Sequence, residues 1–262
     1  VVFELDLVHG TTHRLYPAEG TKVGVRTAAY SPDGKRVYVA RDDGGASHVL
    51  LALDAKSGAV ERTFVQSAPA TAAIEQVVVS PRGDRLGVTI DTGDHTVAWL
   101  FDARSLQPVT KVQAPLGDVT FGPFSDDGAK AAATIADANT PADVFSIDVA
   151  TGAVDPLRKD ARPELDALPQ VDSPIETVKA FDGLSIPVIV YLPKGARTNG
   201  QKLPVIVEFH GGPQAGSSIG WDQFARFFVS QGYAFLQPNV RGSTGTGAPS
   251  RWRTTERSEP TG

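Results

Sequence analysis

The chain has 262 residues, a formal net charge of −5, 41% hydrophobic and 21% charged residues. This is an ordinary globular composition, long enough for two domains, and with no basic block it argues against a nucleic-acid partner. There is no cysteine, which excludes disulfides, thiolate nucleophiles and cysteine-ligated zinc, and no run approaches the roughly 18 apolar residues of a membrane-spanning helix.

The chain contains no methionine and opens in mid-strand on VVFELDL. We therefore expect further sequence upstream, and the compartment stays open. Residues 30–60, 79–109 and 124–154 then align with one another. Each has a strand residue, Ser-x-x-Gly, an alternating strand, a polar turn, and a second strand ending in Asp. The Asp marks are Asp54, Asp102 and Asp148, with Asp6 as an earlier one. A period of about 45 residues with several short strands per unit predicts β-propeller blades. Gly34, Gly83 and Gly128 suit the turns. The polar stretch at 91–96 (DTGDHT) reads as a hairpin tip, because no ligand spacing repeats. Three blades and part of a fourth do not close a ring. The partial propeller is placed at 1–157, and the charged, Pro-containing stretch 158–174 is read as a linker.

From residue 175 the pattern changes. Two strands flank Asp182-Gly183, a hairpin-type turn. LPVIVEFHGGP (203–213) begins as a continuous apolar strand, of the kind buried on both faces. Trp221, Phe224, Ala225, Phe228 and Val229 have helical spacing, and Gly232 fits the position after a helix. YAFLQPNVRG (233–242) is another strand. Strand, helix, strand with short connections predicts a βαβ unit with parallel strands.

Residues 178–245, with HGGP at 210–213 and NVRGSTG at 239–245, resemble the start of the hydrolase domain of the prolyl oligopeptidase family of serine peptidases. The acylaminoacyl-peptidase branch is the most similar in its HGGP. The resemblance implies a β-propeller followed by an α/β-hydrolase domain, here represented by its first part at 175–245. It implies hydrolysis of short or N-acylated peptides through an acyl-enzyme, with no cofactor and no metal, and a peptide as partner. His210, Gly211, Gly212 and Pro213 then form an oxyanion loop, with the Gly212 N–H as donor to the developing charge. One such donor is worth roughly 3–4 kcal/mol. His210 orients the loop and is not the general base, which follows the nucleophile in chain order. Asn239 and Arg241 either hold neighbouring loops or touch substrate. Trp221 and Phe224–Phe228 are read as helix packing.

No Gly-x-Ser-x-Gly occurs on a strand-to-helix elbow, so none of the catalytic residues is present. Ser, Asp and His are expected downstream of Gly262, and the chain alone is expected to be inactive. After Gly245 the pattern stops; 246–262 is an irregular tail with Trp252 as its one large apolar residue. The family has Gly-Tyr-Gly where Gly245-Thr246-Gly247 stands, and one lost base in codon 246 would account for both departures. A shifted frame is therefore expected from there. Two other readings use the same residues: a non-catalytic propeller platform with a degenerate hydrolase remnant, and a small-ester carboxylesterase. Oligomeric state is left open.

Overall fold

The computed structural model describes residues 1–21, 23–42, 48–66, 72–200, 202–212 and 215–243. Pro213 of the HGGP motif and the whole of 246–262 lie outside the described residues.

The first part of the chain is made of antiparallel meanders. Strands β1 (Val2–Leu5) and β2 (Thr12–Tyr16) form a two-stranded sheet. Three four-stranded sheets follow in chain order. The first holds β3 (Val25–Tyr30), β4 (Arg36–Asp42), β5 (His48–Asp54) and β6 (Val60–Gln66). The second holds β7 (Ala73–Val79), β8 (Arg85–Asp91), β9 (Thr96–Asp102) and β10 (Gln107–Lys111). The third holds β11 (Gly117–Phe124), β12 (Lys130–Asp137), β13 (Asp143–Asp148) and β14 (Val154–Pro156).

Two repeated side-chain devices set these turns. Ser31, Ser80 and Ser125 stand between the first and second strands of each sheet. Each Oγ accepts from a backbone N–H five residues on, at Arg36, Arg85 and Lys130 (2.9, 3.0 and 3.0 Å). Each hydroxyl also donates to an aspartate of its own turn: Asp33, Asp84 and Asp127. Between the third and fourth strands, one Oδ1 of Asp54, Asp102 and Asp148 accepts from both the N–H and the hydroxyl of Ser57, Ser105 and Thr151. Short polar side chains that bond their own backbone make such turns locally self-sufficient. At Asp6, between β1 and β2, the carboxylate accepts from the Val8 and His9 N–H groups in the same way. The periodic Asp read from the sequence is therefore a turn cap.

The sheets stack through apolar faces. Tyr38, Leu50, Ile74, Leu86 and Phe101 form one core between the first and second four-stranded sheets. Leu100, Val119, Phe121 and Ile135 form the next, between the second and third. Gly87 lies against the Phe121 ring; a Cβ there would sit 2.9 Å from two ring atoms.

The stretch 158–174 is more structured than a bare linker. It carries a single helical turn, α1 (Pro163–Asp166), and then β15 (Val171–Asp172). β15 pairs with β17 (Ser185–Pro193), which also pairs with β16 (Ile175–Lys179) across the Asp182-Gly183 turn. The rest of this mixed sheet is β18 (Val205–Val207) and β19 (Ala234–Pro238), in the order β15-β17-β19-β18. β18 and β19 are parallel and joined through α2 (Gln223–Ser230). Asp222 caps α2, its Oδ1 accepting from the Phe224 and Ala225 N–H groups. Ala225, Val229 and Phe228 pack on the sheet with Ile189, Tyr191 and Phe235.

Two packing expectations are met only in part. Phe224 and Phe227 are 56% and 58% exposed, because only the Ala225–Val229 side of α2 faces the sheet. Val205 and Val207 are also about half exposed, since β18 is the edge strand and has β19 as its one neighbour.

Gly87→Ala forces the Phe121 ring out of its place between two stacked sheets. Overpacking of this kind costs about 1–3 kcal/mol, and the measurement is the shift in the midpoint of urea unfolding.

Candidate active-site loop and its surroundings

The ends of the two parallel strands build the loop. β18 runs out into Glu208–Gly212, and β19 runs out into Asn239–Ser243. Because the strands are parallel, both segments leave the sheet at the same edge, where sites gather in open α/β sheets. A side-chain bond links them: His210 Nε2 lies 2.6 Å from Ser243 Oγ. Ser243 Oγ also lies 2.7 Å from the Val240 carbonyl oxygen, and His210 Nδ1 lies 3.3 Å from the Gly211 carbonyl oxygen. Ser243 is fully buried.

Gly212 has φ of +63°, in the left-handed region that disfavours a side chain. No heavy atom lies within 4 Å of a Cβ built on Gly211 or Gly212, so the glycines are not required by crowding. Both residues are exposed, and among the described residues neither N–H has an acceptor. The Gly212 carbonyl accepts from the Ala215 N–H at 3.0 Å.

Asn239 is 1% exposed and fully engaged. Its Oδ1 accepts from the Ser217 N–H at 2.7 Å. Its Nδ2 donates to the carbonyls of Ser217 and of Gly93, at 2.8 and 2.7 Å. Gly93 belongs to the hairpin tip between β8 and β9, so Asn239 joins the mixed sheet to the second meander. Arg241 pairs with Asp182 in the β16–β17 turn and lies 5.9 Å from the Phe181 ring centroid. The structure thus brings Asn239 and Arg241 to the same edge as His210–Gly212, each engaged by a neighbouring loop.

A cleft of about 420 Å³ lies at the seam, lined by Asp118, Tyr191, Ser217, Ser218, Trp221 and Gln237 among others. Trp221 precedes α2 rather than belonging to it, and Arg226 stacks 5.0 Å from its ring centroid. A smaller cavity of about 180 Å³ beside the cleft is lined by Glu75, Asp91 and Asp118 with Gly216–Ser218. Burial pushes the carboxyls of Asp91 and Asp118 up, against the opposing pull of their hydrogen bonds from Gly93 and from Ser218 and Thr96. Burial likewise pushes the Tyr191 hydroxyl up to about 12. Among the described residues no group of three or more His, Asp or Glu could hold a metal ion, and no helix is long and apolar enough to cross a membrane.

Two features escaped the sequence reading. Ser243 as the partner of His210 lies 33 residues away, and no local pattern announces it. Ser218 and Ile219 bond to the third and second meanders, at Asp118 and at the Asp94 carbonyl, although 216–220 reads as plain loop.

No family model matches the chain. A curated relative, dipeptidyl aminopeptidase BIII of Pseudoxanthomonas mexicana, is 28% identical over 232 residues, covering 82% of this chain and 32% of that protein. The chain thus spans about a third of the length of that relative. Among solved structures, a puromycin hydrolase superposes with a TM-score of 0.72 at 23% identity, over 93% of this chain and 37% of that one. A structure from a study of two prolyl endopeptidases gives 0.68 at 19%, over 92% and 34%. The antiparallel sheets match the propeller domain of these neighbours.

The sign of the Asp118 effect is fixed by its raised pKa. The folded state holds the carboxyl proton more tightly than the unfolded chain, so the penalty of ionising it grows as pH rises through the folded pKa. Asp118→Asn keeps an oxygen to accept from Ser218 and removes that penalty. It should raise the melting temperature at about pH 7, and the gain should vanish near pH 3, where the wild-type carboxyl is neutral. Calorimetry at the two pH values reads this.

The sequence similarity, the shared sheet architecture and the HGGP and NVRGSTG motifs together make the chain similar to the prolyl oligopeptidase family.

Proposed function

We propose that residues 1–157 are part of a β-propeller, 158–174 the connecting segment, and 175–245 the opening strands of an α/β-hydrolase domain, in a serine peptidase acting on short or N-acylated peptides. In this reading 205–212 is one half of an oxyanion hole. The observation that carries it is the pair of exposed residues Gly211 and Gly212, whose N–H groups have no acceptor among the described residues, at the end of a parallel strand. A scissile carbonyl oxygen gains negative charge as it becomes tetrahedral, and donors already in place stabilise that charge without reorganisation.

His210 serves this loop as a support. Its Nε2 meets Ser243 Oγ at 2.6 Å and its Nδ1 faces the Gly211 carbonyl at 3.3 Å. A nucleophile must reach the substrate carbonyl, and Ser243 is fully buried. The pair is therefore read as holding the two strand-end segments together, with no part in activating a nucleophile. Asn239 and Arg241 are read as loop supports on the same ground of engaged partners. The nucleophile, its base and the orienting acid are assigned to sequence following Gly262. There the Ser would attack the carbonyl, the His would take its proton and return it to the leaving amine, and the Asp would orient the His. A one-base loss in codon 246 is the proposed reason why the family pattern stops there.

The purified 262-residue chain should neither turn over peptide p-nitroanilides nor take up a fluorophosphonate probe at any serine. Intact-mass analysis after probe treatment reads this. Labelling of Ser243 would contradict the assignment, because it would show that the His210–Ser243 pair activates a nucleophile.

A further inference from the structure

We propose that the hairpin tip between β8 and β9, residues 91–96, is a positioning element for the Gly211–Gly212 loop, acting through Asn239 and residues 217–219. The proposal rests on the oxyanion reading given above.

An exposed glycine pair without packing neighbours does not hold one geometry by itself, since glycine loses the most backbone freedom on ordering. Donors aimed at a transition state need support from outside. On one side that support is the His210–Ser243 bond. On the other side the loop continues through Ala215, whose N–H returns to the Gly212 carbonyl, into 217–219. Those three residues are held by the meander sheets and by Asn239. The Ile219 N–H donates to the Asp94 carbonyl at 2.7 Å. Ser218 Oγ donates to Asp118 Oδ2 at 3.0 Å. Ser217 is bonded through both its N–H and its carbonyl to the Asn239 amide, which also donates to the Gly93 carbonyl.

The tip is itself firm. Thr92 Oγ1 lies 2.8 Å from Asp94 Oδ1, 2.9 Å from His95 Nδ1 and 2.7 Å from the His95 carbonyl. The Gly93 N–H donates to Asp91 Oδ1 at 2.7 Å. Two backbone carbonyls of one short turn, at Gly93 and Asp94, thus receive donors from the far sheet. The meander sheet then sets the donor geometry, and Asn239, Ser218 and Thr92 are positioning residues that touch no reacting atom.

The test is amide exchange and ¹H–¹⁵N spectra of the 262-residue chain. In Asn239→Ala, the Ser217 and Ile219 amides should exchange about tenfold faster or more. The Gly211 and Gly212 resonances should shift at the same time, while Ile135 and Ile147 in the third meander keep their protection. Ser218→Ala should move the same two glycine signals, and Ser218→Thr, which keeps the hydroxyl, should restore them. Thr92→Val, a change confined to the hairpin tip, should act in the same direction. Should Asn239→Ala not fold, the Ser218 pair and Thr92→Val decide the matter. Glycine resonances that stay fixed while 217–219 loosen would overturn the proposal. This outcome is separable from failure of the oxyanion reading, because the glycine signals report geometry and need no turnover.

Discussion

A buried amide must have its partners, and the Asn239 side chain finds them on two different sheets. That constraint fixes how the meanders meet the mixed sheet. Three short bonds to Ser217 and Gly93 leave no freedom in the Asn239 orientation. Asn139 does a related task further along the seam. Its Oδ1 accepts from the Val171 N–H and from Arg226 Nη1, and its Nδ2 donates to the Val171 carbonyl. Arg226 is nearly buried, and loss of water pushes its pKa down. Removing one partner from such a network leaves polar groups orphaned, at about 1–3 kcal/mol for each neutral group. The two asparagines therefore specify one relative placement of the sheets, where apolar contact alone would tolerate several.

The same seam makes chemical sense of the loop. Strand-end segments from β18 and β19 meet because the strands are parallel, and His210 with Ser243 closes the gap between them. Gly211 and Gly212, both exposed, belong to that closure. On the proposed reading, the hydrolase strands supply the donors and the second meander keeps them in place. A cleft with acidic residues opens beside them, where burial resists ionisation of Asp91 and Asp118.

Much of the architecture was legible in the sequence because it rests on local rules. The Ser-x-x-Gly and Asp periodicity marks turns whose hydrogen bonds close within five residues, so the chemistry is visible in any one repeat. The spacing around Ala225 and Val229 announced α2, and the apolar runs announced β18 and β19 as neighbours of it. What was not legible depends on distant partners. The exposure of Val205 and Val207 follows from sheet order, which no single strand encodes. Phe224 and Phe227, read as helix packing, are more than half exposed. The His210–Ser243 and Asn239–Gly93 bonds join residues 33 and 146 positions apart, and only the fold brings them together.

On the proposed reading the 205–212 loop serves an acyl-transfer nucleophile carried by the same protein. Sequencing the source DNA across codon 246 and for several hundred bases beyond tests this most directly. One base should restore a tyrosine at 246, followed downstream by Gly-x-Ser-x-Gly after an apolar strand, and then by Asp and His in that order. Independent reads that keep the frame closed, with no such nucleophile in any frame, would contradict the claim and leave a non-catalytic platform as the reading of this chain.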